Sequence, residues 1–218
     1  EIPLRLVGSE MCIRDRYYAP NACSLAPHIV LRELALPFEL VRVNNQTKRT
    51  ADGADFLAIN PKGYVAALQV DDGQVLTEGP AIVQYLADLR PQAGLAPPAG
   101  SWARSRLQEW LNFISTEIHG GFGPLFNRAL PEDARTWWQA RLEKRLDYLA
   151  AALRGRQALL DDRYGVADAY LYTVLRWAAQ FDIDLARWPG LPEYQARIDA
   201  RPAVQAALAA EAADRCPQ

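Results

Sequence analysis

The chain has 218 residues, half of them hydrophobic and 23% charged, with 13 glycines and 15 prolines; this is the profile of an ordinary globular protein, long enough for one large domain or two small ones. A formal net charge of -2 offers no long-range attraction to phosphate backbones or anionic lipid, and charged residues interrupt every apolar stretch before it reaches the roughly 20 residues that span a bilayer, so nucleic-acid and membrane partners are not expected. Three scattered cysteines, Cys12, Cys23 and Cys216, with only His28 and His119 beside them, make neither a disulfide framework nor a metal spacing; a reducing, cytoplasmic setting and no bound metal are expected.

The first sixteen residues, EIPLRLVGSEMCIRDR, lack the basic start, apolar core and small-residue cleavage site of a secretory signal. The run LVGSEMCIRDR resembles translated sequencing-adaptor read-through, so residues 1–16 are set aside as a foreign extension that has overwritten the beginning of a strand. That strand is expected to begin around Arg16, Tyr17 and Tyr18. A turn over residues 19–22 follows, and then Leu25, Ile29, Val30 and Leu34 recur at helical spacing up to Pro37. Alternation over residues 38–43 predicts a second strand, and the polar stretch over residues 44–55 reads as a loop with a short helix. After a turn at Asn60, Pro61, Lys62 and Gly63, residues 65–70 and 74–77 form a hairpin split by Asp72 and Gly73. Gly79 and Pro80 open a helix carrying Ile82, Val83, Leu86 and Leu89, because proline at the first helical position gives up an N–H that would be unpaired anyway.

The order βαβ, hairpin, α predicts a small mixed sheet with helices packed on it, a domain over residues 17–91. The Pro-, Ala- and Gly-rich segment that follows reads as a linker over residues 92–101. Everything beyond it, residues 102–218, is expected to be helical. Leu107, Leu111, Ile114 and Ile118 make one apolar stripe, broken off by Gly120, Gly121, Gly123 and Pro124. Leu142, Leu146, Leu149 and Leu153 make another. A third helix starts near Gly165 with Asp168 in its first turn, and shorter ones surround Tyr194 and Val204.

Few of these residues carry chemistry. Cys23 stands just before the first helix, where unpaired N–H groups and the helix dipole favour an anion, so its thiol is expected to be acidified; a small buried hydrophobe is the plain alternative. Ala26 stands three residues on, which excludes an internal dithiol and leaves any redox role to an external thiol. Glu78 and Gly79, at the mouth of the helix that Pro80 opens, make an anion-friendly corner that suits the two charged ends of an amino acid, or else a simple strand-to-helix turn. Asn112, Thr116 and His119 share one helix face, either solvated or aimed at a substrate, with His119 able to donate to a neighbouring sulfur. Lys48 and Arg49 are loop cations that suit a carboxylate or merely water.

Taken together, the segments YYAPNACSLAPHIVLRE, NPKGYVAAL, DDGQVLTEGPAIVQYLAD, EWLNFISTEIHGGFGPLF and VADAYLYTVLRW resemble, in order, the bacterial beta-class glutathione transferases, over nearly everything after Arg16. The resemblance implies a thioredoxin-like α/β N-terminal domain, an all-α C-terminal domain, a cytoplasmic homodimer, and glutathione as co-substrate bound mainly by the first domain. It implies that Cys23 and its hydroxyl neighbour Ser24 lie next to the glutathione sulfur, that Lys48 lies near the glycine carboxylate, and that the Val65 backbone pairs with the cysteinyl part. Glu78 and Gly79 would hold the γ-glutamyl end, Asn112 and His119 would reach toward the sulfur, and Asp168 would cap a core helix. The reaction expected is conjugation of glutathione to hydrophobic electrophiles, mixed-disulfide exchange through Cys23, or both; the alternative is a non-catalytic binding or interaction module on the same fold. Trp110, Phe113, Phe122, Phe126 and Trp177 suggest an apolar, aromatic electrophile pocket, or else most of them are simply core.

Three departures stand out. Ala66 replaces the family's cis-proline, and since a cis bond before a non-proline costs about 2.5–4 kcal/mol, a trans loop and weakened glutathione binding are expected. Gly165 replaces a Ser or Thr cap. Arg16 occupies an apolar position, where an unpaired buried charge would be costly.

Overall fold

The computed structural model describes residues 13–70, 72–160 and 162–213; most of the extension set aside above, with Cys12 and Cys216, lies outside them. Five strands form one sheet: β1 (Ile13–Tyr18), β2 (Glu39–Asn44), β3 (Arg49–Thr50), β4 (Ala67–Val70) and β5 (Val75–Thr77), in the order β3-β2-β1-β4-β5. The parallel β1–β2 pair, with Tyr17 opposite Val41, needs a crossover, and α1 (Leu25–Glu33) supplies it. β4 runs antiparallel to β1, with Tyr17 opposite Ala67, and closes a hairpin with β5 through Gly73 at φ 83°. α2 (Phe56–Ile59) is capped by Asp55, whose side chain accepts from the Leu57 N–H at 3.1 Å, and α3 (Gly79–Leu89) follows β5 directly. This is the thioredoxin-like arrangement expected.

Two local readings change. β1 starts at Ile13, not near Arg16, because Ile13 pairs with Val70 and Asp15 with Glu39; part of the segment set aside is therefore built into the sheet. The stretch read as loop with a short helix instead adds the edge strand β3 to β2, and the short helix comes after it.

The helical half begins at α4 (Trp102–Phe113), where the Ser101 side chain accepts from the Arg104 N–H at 3.1 Å. It continues without a break as a wide π-helical turn, Ile114–His119, then α5 (Gly120–Phe122) and a 3₁₀ turn, Gly123–Phe126. α6 (Glu132–Leu153) packs back on this segment: Gly121 lets it come so close that an added Cβ would lie 2.9 Å from Leu142 Cδ1. α7 (Val166–Leu175) is buried on every side, as a central helix must be; α8 (Leu191–Asp199) packs against it, and α9 (Pro202–Ala213) packs against α1. Gly165 caps α7 with no side chain, and the reciprocal half of the capping box remains: Asp168 accepts from the Gly165 N–H at 2.9 Å, from the Leu159 N–H at 2.9 Å and from Tyr194 OH at 2.8 Å.

One large core runs from α1 and α3 into the helical half, and a smaller one lies on the other face of the sheet around Tyr17, Val43, Phe56, Val65 and Ala67. Strand alternation decides which residue goes where: Tyr17 enters the small core, while Arg16 and Tyr18 leave to the other side. Arg16 is fully buried, yet it is not the unpaired charge feared above. One guanidinium nitrogen donates to the Ser24 carbonyl at 2.5 Å and another meets Glu211 of α9 at 2.9 Å, and the same carboxylate oxygen holds His28 Nδ1 at 2.9 Å. Its Nε finds no acceptor among the described residues. Burial draws the Arg16 pKa down to about 10 despite Glu211.

Candidate functional site

Where the loops leading into α1, β4 and α3 meet α7 and the π-helical turn, a cleft of about 240 Å³ opens. Its walls bring together Cys23, Val65, Glu78 and Gly79 from the sheet half with His119 from the helical half. These residues are spread over nearly a hundred positions of sequence, and only the fold makes them neighbours.

Cys23 sits in the turn before α1, and its Sγ lies 3.4 Å from the Val65 carbonyl, which accepts from it. The expectation of an acidified thiol is overturned. Enclosure of the sulfur pushes its pKa up to about 11, the Glu78 carboxylate adds to the rise, and the neighbouring backbone N–H groups offset only part of it. The helix N-terminus favours the thiolate, but desolvation is the larger effect here. The Val65–Ala66 peptide is cis, against the expectation from its intrinsic preference, which took no account of the surrounding loop. That loop is held where the Asn60 side chain donates to the Tyr64 carbonyl at 2.7 Å.

Glu78, at φ 74°, turns the chain from β5 into α3; its carbonyl accepts the first helical N–H bonds, from Ala81 and Ile82, while its carboxylate pairs with Lys62 Nζ at 2.6 Å. Lys62 also donates to Thr77 Oγ1 at 3.0 Å. Sequence reasoning passed over Lys62 because it took residues 60–63 for a turn and nothing more.

Three predicted residues lie elsewhere. Ser24 is buried beneath the turn, its Oγ engaged with both the N–H and the carbonyl of Ala19 at 3.3 Å, so it shapes the loop carrying Cys23 and does not line the cleft. Lys48 donates to the Gly63 carbonyl at 2.8 Å and lies 5.3 Å from the Tyr64 ring centre, at the rim behind the cleft wall. Asn112 is exposed in a neighbouring groove with Gln84, Ser105 and Gln108, on the far side of Ser115. The shared stripe of Asn112 and His119 assumed a regular α-helix. The π-helical turn between them advances less per residue, so His119 lags around the axis and faces the cleft.

His119 Nδ1 lies 2.6 Å from the hydroxyl of Tyr170, and burial lowers the His119 pKa, which keeps the ring neutral. Tyr170 itself is missing from the sequence reading. It stands in the apolar run of α7 and looked like core; the available signal was that a buried phenol needs a polar partner. Beside His119 the aromatics divide into two groups. Trp177, Phe122, Phe126 and Phe181 cluster against it, with ring centres 4.9 Å apart for His119–Trp177 and 5.2 Å for Phe126–Trp177. Trp110 and Phe113 instead pack with Tyr148 on another face. Trp177 Nε1 also donates to the Asn21 carbonyl at 2.9 Å, tying the helical half to the Cys23 loop.

No described helix is long and apolar enough to cross a membrane, and no described group of His, Cys, Asp and Glu has the arrangement of a metal site. The sequence profile of the glutathione S-transferase N-terminal domain matches residues 22–89, and that of the C-terminal domain matches residues 113–202. A glutathione S-transferase, GstA, of Escherichia coli O157:H7 is 47% identical over 195 residues, 89% of this chain and 97% of that protein. Among solved structures, a glutathione transferase of Methylococcus capsulatus is 57% identical, covering 91% of this chain and 98% of that one with a TM-score of 0.89. A sphingomonad glutathione S-transferase complexed with glutathione is 44% identical, covering 91% and 98%, with a TM-score of 0.88.

Proposed function

The chain belongs to the glutathione S-transferase family, and we propose that its cleft binds glutathione and promotes attack of the glutathione sulfur on hydrophobic electrophiles. One observation carries this: Cys23, Val65, Glu78, Gly79 and His119, from four separate stretches of chain, converge on a single cleft. Glu78 supplies a carboxylate for the γ-glutamyl ammonium. The opening of α3 at Gly79 supplies backbone N–H groups for the γ-glutamyl carboxylate, with Lys62 at hand to assist. The Val65 backbone suits the cysteinyl amide, and Lys48, at the rim, suits the glycine carboxylate. Asn112 and Ser24 act from outside the cleft, the latter by holding the turn that carries Cys23.

With its pKa pushed up to about 11, Cys23 is a thiol near neutral pH and serves as a hydrogen-bond donor to a bound thiolate. That favours conjugation over mixed-disulfide exchange, in which Cys23 would have to be the nucleophile. The cluster of Trp177, Phe122, Phe126 and Phe181 beside His119 supplies an apolar wall for the electrophile. A cytoplasmic homodimer is the assembly proposed; Tyr64 and Tyr148, 72% and 54% exposed, are aromatics that such a contact would cover. Calorimetric titration of the chain with glutathione, followed by turnover of a chromogenic aryl halide, tests the function. Saturable binding with turnover is expected. A chain that neither binds glutathione nor conjugates it overturns the proposal.

A further inference from the structure

Tyr170 is 1% exposed, and its hydroxyl meets the end of the π-helical turn. His119 Nδ1 is 2.6 Å away, and Ser115 lies on the same cleft wall. Across the cleft the phenol faces the start of α3, where a Cβ added to Gly79 would sit 3.8 Å from Tyr170 Cε2. We propose that Tyr170 is a positioning residue that fixes His119 as the tautomer protonated at Nε2, so that the imidazole presents a hydrogen-bond donor to the sulfur bound beside Cys23. This rests on the glutathione-transferase function proposed above.

A neutral imidazole has one donor nitrogen and one acceptor, and the bond made by one of them settles which is which. Burial keeps the His119 ring neutral and holds the phenol protonated. Two arrangements then satisfy the short contact: the phenol donates to Nδ1, or Nδ1–H donates to the phenol. A phenol is the stronger acid of the two groups and an imidazole nitrogen the stronger base, so the first arrangement is the more stable at this short contact. The phenol proton thereby points to Nδ1, and the ring proton goes to Nε2. His119 is also wedged edge-on between Tyr170 and Trp177, with ring centres at 5.9 Å and 4.9 Å, so the ring plane is held as well as the tautomer. A neutral Nε2–H stabilises a thiolate without giving up its proton, and pairs with the Cys23 thiol as a second donor to the same sulfur.

The chain contains two histidines, so nitrogen-15 NMR of the imidazoles of the full chain reads the tautomer directly, with His119→Gln assigning the signals. The parent is expected to show His119 protonated at Nε2 and bare at Nδ1. Tyr170→Phe, which keeps the ring and removes only the hydroxyl, should convert this pattern to a mixture and lower kcat for aryl-halide conjugation about fivefold, the population weight of one ordinary neutral hydrogen bond. The KM for glutathione should move by less than about twofold, since ground-state binding is untouched. An Nδ1-protonated ring in the parent, or a Tyr170→Phe variant with unchanged tautomer and kcat, overturns the assignment. Loss of glutathione binding and turnover in the parent itself would instead overturn the function, while the NMR result would still decide the tautomer.

Discussion

Glu211 serves two buried basic groups, and replacing it with glutamine separates the contributions of the cluster. One of its oxygens accepts from Arg16 and from His28 Nδ1, each at 2.9 Å, and Arg16 is wholly buried. Glu211→Gln keeps the shape and removes the charge, leaving the guanidinium with the Ser24 carbonyl and the face of Tyr18, 4.9 Å from its ring centre. Breaking a buried ion pair from one side costs about 3–5 kcal/mol, and the retained amide oxygen places this substitution at about 3. In a chain of 218 residues each kcal/mol corresponds to about 2–4 °C, so Tm should fall by about 6–12 °C. Arg16→Leu breaks the same pair from the other side and leaves the buried Glu211 carboxylate beside a neutral His28, so it should also cost about 3 kcal/mol. The double variant Arg16→Leu/Glu211→Gln should then recover about 2 kcal/mol of the summed loss, a coupling of the size seen for residues in contact. Urea and thermal unfolding of the four proteins provide the measurement. A Glu211→Gln protein within about 2 °C of the parent, or a double variant that loses the sum of the two single effects, refutes the reasoning.

The other predictions concern protons and packing. Burial lowers the His28 pKa from 6.5 to about 4, so the folded state favours the neutral ring; the unfolded chain takes up the proton first, and stability present above pH 6.5 is lost as pH falls toward 4. The loss between pH 7 and pH 5 should be about 2 kcal/mol by urea unfolding, and His28→Gln should flatten that slope. Alkylation of Cys23 by a neutral reagent, with Cys12 and Cys216 replaced by serine, should be slow at pH 7.5 and rise with a midpoint well above 9, the ordinary thiol value; Glu78→Gln should move the midpoint down, and a midpoint near 7 would restore the acidified thiol. Gly165→Ser restores a capping hydroxyl worth a few tenths of a kcal/mol over glycine, but the added Cβ would stand 2.8 Å from the Leu95 carbonyl oxygen. The expected net loss is about 1 kcal/mol, read by urea midpoint; a gain would show that Leu95 gives way.

What the sequence made legible divides along the range of the interactions involved. α1, the β4–β5 hairpin, α3 and the apolar stripes of α4 and α6 were readable because spacing, Asp72-Gly73 and Gly79-Pro80 act over a few residues. Arg16 was judged costly because its answer, Glu211, lies 195 residues away on α9, and no local pattern announces it. Tyr170 was hidden for the same reason: in a helix buried on every side it has the spacing of core, and only the fold brings its hydroxyl to His119, 51 residues earlier.

The misreadings at Cys23 and Asn112 have a further lesson, since the local rules applied there were correct as far as they went. A thiol before a helix is stabilised as an anion, and positions seven apart on an α-helix do share a face. Tertiary structure supplied a larger opposing effect in each case. Packing of the Cys23 loop under Val65 and beside Glu78 desolvated the sulfur, and the π-helical turn re-aimed His119. Glu117, inside that turn, bonds Arg145 at 2.5 Å and Arg141 at 3.2 Å, and so anchors the wide turn to α6. The departure from helical period thus falls at the segment that carries His119 into the cleft. It is a conflict between local pattern and final structure at the site where chemistry has to be aimed, which is where such conflicts are expected to persist.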